Sequence, residues 1–140
     1  MTILLFGATG SAGGSVLRVC LESPAVASVR AIVRRPLAVS AAKLTVVLRQ
    51  NFADHAGAEA TFAGVDACFY CLGKSAQQVK DEASYRRITH DFAIAAARAL
   101  RQQSPTAAFH FLSGHGASLT SSVMWARVKA ETERDGAPCS

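Results

Sequence analysis

The sequence predicts an α/β protein built on a doubly wound parallel sheet of about five strands in the order 3-2-1-4-5. Two observations predict it. Short apolar runs alternate with longer segments of helical period along the whole chain, and such alternation implies parallel strands joined by right-handed helical crossovers. A glycine-rich turn also follows directly on the first apolar run and opens the first helix.

Taken in order, Ile3–Phe6 is the first strand, and the helix over Ser15–Leu21, started by the Ser11–Ser15 region, is closed by Pro24. Val29–Val33 is the second strand, stopped by Arg34-Arg35-Pro36, and Leu44–Leu48, rich in β-branched residues, is the third. Asp54–Phe62 reads as a short helix and Ala67–Leu72 as the fourth strand. From Val79 to Gln103, the residues Val79, Ala83, Ile88, Phe92, Ala95, Ala96 and Ala99 recur at helical spacing, and Ser104-Pro105 ends that helix. Ala108–Leu112 is the fifth strand. Ser121–Arg134 is a last helix, followed by Gly136 and Pro138 as stop signals. No repeat, linker or low-complexity stretch divides the 140 residues, so a single domain over 1–140 is expected.

Composition narrows the function classes. Half the residues are apolar and 18% are charged, which excludes a disordered chain. No apolar run approaches the roughly 18 residues of a membrane span. The opening Met1–Phe6 lacks a basic leader and runs into Gly7, so it reads as a buried strand and not a signal peptide, and a cytoplasmic location is the default expectation. The net charge of +5 suits either nucleic acid or a polyanionic cofactor. The basic residues are scattered and no aromatics interleave with them, so no nucleic-acid partner is expected. Cys68 and Cys71 form a C-x-x-C inside the fourth strand, where residues three apart point to opposite faces about 10 Å apart and share neither a bridge nor a metal. Cys20, Cys139 and the four histidines lack metal-ligand spacing, and no metal site is expected.

Gly7-Ala8-Thr9-Gly10-Ser11-Ala12-Gly13-Gly14 is the most informative stretch. Gly7 suits the tight turn out of the strand, Gly10 lets backbone amides approach a pyrophosphate, and Gly13 lets the helix pack close to the sheet. The unpaired amides and partial positive charge of the helix end then face the phosphates. This is the phosphate loop of a Rossmann domain. At the end of the second strand, where an NAD-binding domain carries Asp or Glu for the ribose 2′-hydroxyl, this chain has Arg34 and Arg35. A carboxylate repels a 2′-phosphate and guanidinium groups pair with it, so NADP is expected over NAD.

With these motifs the chain resembles the atypical short-chain dehydrogenase/reductase family, most closely the branch that includes the human Tat-interacting protein. The resemblance runs from Ile3 to about Arg134. Besides the glycine loop and the arginine pair it rests on Gly64-Val65-Asp66, on Phe69-Tyr70-Cys71-Leu72-Gly73, on Tyr85–Phe92 and on Phe111-Leu112-Ser113. It implies that Leu72 and Gly73 line the cofactor beside the nicotinamide-proximal ribose, that Asn51 and Phe52 flank the adenine, and that Ser113 sits near the nicotinamide. It also implies a Tyr-x-x-x-Lys motif on the last helix, where lysine holds the ribose and tyrosine transfers the proton. Here Lys129 is in place and Trp125 stands where tyrosine belongs, and an indole does not ionise usefully. Ser113, Lys129 and Trp125 are thus the candidate catalytic positions. Relatives continue beyond the last helix into a substrate-binding part, so a C-terminally truncated chain is expected. The reading is an NADP(H)-binding oxidoreductase or the remnant of one, with a non-catalytic dinucleotide-binding sensor or regulator as the alternative. Its expected partners are an unidentified small-molecule substrate and a second copy, paired through the Val79–Gln103 and Ser121–Arg134 helices.

Overall fold

The computed structural model describes residues 1–71 and 87–111. Five strands, β1 (Thr2–Phe6), β2 (Ser28–Val33), β3 (Leu44–Leu48), β4 (Ala67–Tyr70) and β5 (Ala108–Phe111), form one sheet in the order β3-β2-β1-β4-β5. Every pairing is parallel, with Leu4 opposite Arg30 on one side and Cys68 on the other. This is the doubly wound order expected from the sequence.

Strand alternation sorts the core into two layers. Leu4 and Phe6 of β1, Ile32 of β2, and Cys68 and Tyr70 of β4 face a layer closed by Phe52, Phe62 and the helix α3 (Phe92–Gln103), which contributes Phe92, Ala93, Ala96 and Leu100. A second helix, α2 (Glu59–Phe62), supplies Phe62 to that layer. Ile3 and Leu5, with Val29, Ala31 and Val33, face the other layer, covered by Leu17 and Cys20 of α1 (Ser11–Glu22). Cys68 and Cys71 fall into opposite layers, as residues three apart on one strand must.

Polar side chains tie the elements where backbone groups leave the ladders. Arg30 shares the α2 side of β2 and donates to the carbonyls of Ala60, Thr61 and Ala63 at 3.4, 2.8 and 2.6 Å, capping that short helix. Lys43 does the same for the end of α1 through Ser23 and Val26. Buried Ser104 accepts from the Val65 amide and donates to the Phe62 carbonyl, which fixes the C-terminal end of α3 near the start of β4. A helix running back against parallel strands then has its N-terminal end at their carboxyl edge.

Three boundaries differ from the expectation. α1 adds a turn ahead of the expected Ser15–Leu21 body and begins at Ser11, the early limit of the Ser11–Ser15 region, because the glycines of the loop themselves take up the first turn. α2 is limited to Glu59–Phe62, because 54–58 are spent on turns: Asp54 accepts from the Ala56 amide at 2.9 Å, and Gly57 has φ +86°. The helix expected over Val79–Gln103 is described from residue 87, as a π-helical turn, Arg87–Asp91, that leads into α3. The Ser121–Arg134 helix, Leu112 and Cys139 lie outside the described residues.

Candidate functional site at the carboxyl edge of the sheet

The chain leaves β1 for β2 on one side and later places β4 on the other, so the carboxyl end of β1 is the switch point where a crevice opens. Gly7 makes the turn out of β1 with φ +86°, a conformation that a side chain disfavours. Its carbonyl accepts from the Gly10 amide at 3.0 Å, and the Gly10 carbonyl accepts the first helical bond, from Gly14, at 2.8 Å. Gly10 is the N-cap and offers no side-chain cap, and the first turn carries no acidic residue. The amides of Ser11, Ala12 and Gly13 thus have no acceptor within the helix, and the positive end of its dipole is unneutralised. A Cβ on Gly13 would lie 1.8 Å from the Gly7 carbonyl oxygen, so only glycine lets α1 start this close to β1.

Beside this turn lies a cleft of about 800 Å³. Gly7, Ala8 and Thr9 follow β1 into it, Arg34, Arg35 and Pro36 follow β2, and Gln50 and Phe52 follow β3. Among the described residues the lining includes two guanidinium groups and no carboxylate. Such a cleft is large enough for a small-molecule ligand. The Arg34 guanidinium carbon sits 5.7 Å from the centroid of the Phe52 ring. Phe52 is itself buried, held edge-on by Phe6 at 6.0 Å and by Phe92 at 5.9 Å. Gln50 donates from Nε2 to the Arg34 carbonyl at 3.0 Å.

The fold thus brings Gly7, Ala8, Thr9, Arg34, Arg35 and Phe52 to one cleft. Gly10 lines an adjoining, mostly apolar hollow along α1 with Leu17, Leu21 and Val39. Asn51 is not among the cleft residues; its Oδ1 accepts from the Ala53 amide at 2.9 Å and shapes the turn after β3. Leu72, Gly73, Ser113, Trp125 and Lys129 lie outside the described residues. Tyr70 does not stand in for the missing catalytic tyrosine: it is buried in the core, which pushes its phenol above the usual tyrosine range. Gln50 is a cleft residue that sequence reading overlooked. Its only signal was its position, first after Arg49 at the end of β3 and level with the arginine pair.

A second histidine-containing recess of about 310 Å³ lies between the 53–59 segment and α3, with Asp54, Glu59, Arg98 and Gln102 on its rim. His55 packs there against Phe62 at 5.0 Å and Phe6 at 5.9 Å, and neither ring nitrogen has a hydrogen-bond partner among the described residues. Burial, reinforced by the nearby Arg49 charge, pulls its pKa down to about 4, so the ring is neutral at pH 7.

The model of the NmrA-like family matches residues 1–99. Among curated proteins, the mitochondrial protein FMP52 of Eremothecium gossypii is 29% identical over 135 residues, covering 96% of this chain and 59% of the relative. The mitochondrial fmp52 of Aspergillus clavatus is 34% identical over 138 residues, covering 95% and 58%. The chain therefore spans under two thirds of the length of these relatives. Among solved structures, glucuronic acid dehydrogenase from Chromohalobacter salexigens superposes with a TM-score of 0.75 at 18% identity, covering 95% of this chain and 53% of that one. UDP-glucuronic acid 4-epimerase from Bacillus cereus, in complex with NAD, superposes with a TM-score of 0.75 at 14% identity, covering 96% and 51%. At these identities the structures establish the fold alone. The expectation of a cytoplasmic protein is corrected by the curated relatives, which are named as mitochondrial.

Proposed function

The chain belongs to the NmrA-like family, and from that premise we propose that it binds NADP(H) in the cleft at the carboxyl ends of β1, β2 and β3. The observation that carries this reading is the pairing of an uncapped helix end with a cleft that holds Arg34 and Arg35 and, among the described residues, no carboxylate. The amides at the start of α1 suit the pyrophosphate, and the arginines suit the 2′-phosphate. Against NAD, the described residues of the same cleft offer no acidic group for the ribose 2′-hydroxyl. Titration with NADPH and with NADH, followed by nicotinamide fluorescence, tests this without a substrate. Tighter binding of NADPH is the expected result, and equal affinities overturn the preference.

Beyond binding, the reading is an oxidoreductase of the short-chain dehydrogenase/reductase kind, in the branch of the human Tat-interacting protein. Bound NADPH supplies hydride; the chain's own part is to hold the dinucleotide, with Lys129 gripping the ribose. The alternative, a dinucleotide-binding sensor or regulator, is favoured by Trp125 at the position where the resemblance implies tyrosine, because an indole does not ionise usefully. Its location follows that of its relatives, in mitochondria, and fractionation with a mitochondrial marker checks it.

A further inference from the structure

We infer that Gln50 and Phe52 are positioning residues that preorganise Arg34, and that this clamp sets how strongly the cleft distinguishes a 2′-phosphorylated dinucleotide from one without that phosphate. The inference rests on the NADP(H) reading above and goes beyond it, because neither residue need touch the phosphate. Arg34 stands where β2 has run out of ladder: the preceding carbonyl, of Val33, still accepts a backbone bond from Arg49 at 2.9 Å. The Arg34 carbonyl, one residue past the end of β2, accepts from the Gln50 side-chain amide at 3.0 Å. The backbone that aims the arginine is thus fixed by a side chain from the neighbouring strand end. The other end of the residue is fixed as well. Its guanidinium lies 5.7 Å from the Phe52 centroid, and that ring is 2% exposed, wedged between Phe6 and Phe92.

A cation–π contact does not use the guanidinium N–H groups, and those are the part that pairs with a phosphate. A free arginine at a strand end must give up its rotamer freedom on binding; one already held at both ends gives up less. Arg35 lines the same cleft with no comparable clamp among the described residues. The selectivity is therefore assigned to Arg34, and its strength to Gln50 and Phe52.

The test compares the dissociation constants of NADPH and NADH for the unmodified protein, Arg34→Ala, Gln50→Ala and Phe52→Leu, with a melting curve for each. Gln50 is exposed, so its replacement leaves the fold intact and decides the matter even where Phe52→Leu fails to fold. Gln50→Ala is expected to weaken NADPH about three- to tenfold while NADH stays within about twofold. Phe52→Leu, which keeps apolar bulk but removes the ring face, is expected to weaken NADPH about three- to tenfold more than it weakens NADH. A merely structural role weakens both cofactors alike, and that result overturns the clamp. So does a silent Gln50→Ala in a protein whose NADPH preference Arg34→Ala abolishes. Equal affinities in the unmodified protein overturn the NADP reading itself and the clamp with it.

Discussion

Replacing Gly13 by alanine separates what the glycine loop does for the fold from what it does for a ligand. The added Cβ would lie 1.8 Å from the Gly7 carbonyl oxygen, 2.5 Å from its carbon and 3.1 Å from the Ala8 nitrogen. A carbon rests against a carbonyl oxygen at about 3.3 Å, so α1 must back away from the turn by about 1.5 Å. The atoms in the way are backbone and cannot rotate aside. Backing away also loosens Leu17 and Cys20 from the layer they cover on β1 and β2. Overpacking of this kind costs about 1–3 kcal/mol, only partly offset by the roughly 1 kcal/mol that alanine gains over glycine within a helix. A net loss of up to about 2 kcal/mol lowers the melting temperature by up to roughly 5–10 °C. The uncapped amides move with the helix, so NADPH affinity is expected to fall about tenfold or more. Gly10→Ala is the control. Its Cβ would meet the Gly7 oxygen at 3.5 Å, an ordinary contact, so the melting temperature is expected to stay within a few degrees. NADPH affinity should still fall, because a methyl group then stands where the backbone must approach the pyrophosphate. Circular dichroism melts and NADPH titrations of the two variants settle the point. A Gly13→Ala protein that melts and binds like its parent would refute the packing argument, and a Gly10→Ala protein with unchanged affinity would refute the phosphate role.

Arg34→Asp removes a charge-assisted pair worth about 1.5–3 kcal/mol and adds a like charge, so NADPH should bind at least tenfold more weakly and NADH become the preferred cofactor; a retained NADPH preference in the titration contradicts the 2′-phosphate reading. His55, neutral and near pKa 4 when folded and near 6.5 when unfolded, leaves stability intact above pH 6.5 and erodes it as the pH falls toward 4, by about 2–3 kcal/mol between pH 7 and 4.5. Urea unfolding at the two pH values should show that loss shrink by a similar amount in His55→Leu, and an identical pH dependence in both proteins would count against it. Arg30→Met keeps the stem but deletes the three bonds that cap α2, and is expected to cost about 1–3 kcal/mol in urea unfolding; an unchanged midpoint would mean that the cap is idle. Trp125→Tyr restores an ionisable donor four residues before Lys129 and should raise NADPH-dependent carbonyl reduction about a hundredfold if the oxidoreductase reading holds, whereas flat turnover supports the sensor.

Strand positions and order were legible from residue order because each strand is a short apolar run bounded by glycine, proline or charge, and local sterics act within that window. The start of the first helix was legible only as the Ser11–Ser15 region, because glycines suit a loop as well as a helix, and the close seat on β1 fixes it at Ser11. The 54–58 turns were hidden by a pattern compatible with helix, since Asp54 serves a turn or a cap equally well and the outcome depends on what lies beneath. Location was misread, because the opening residues report burial in a sheet and nothing about transport.

By itself, the sequence determined the fold class, the strand order, the phosphate-loop geometry at Gly7, Gly10 and Gly13, and the positive character of the β2 end. Each follows from short-range patterns: periodicity, backbone freedom and charge. Only the tertiary structure decided which side chains share a cleft. It brought Gln50 to the Arg34 carbonyl across sixteen positions of chain, sent Arg30 to α2 and not to the cleft, and buried His55 among aromatic rings. Such contacts depend on the register between strands and on the lengths of the turns that join them, and no local pattern encodes either.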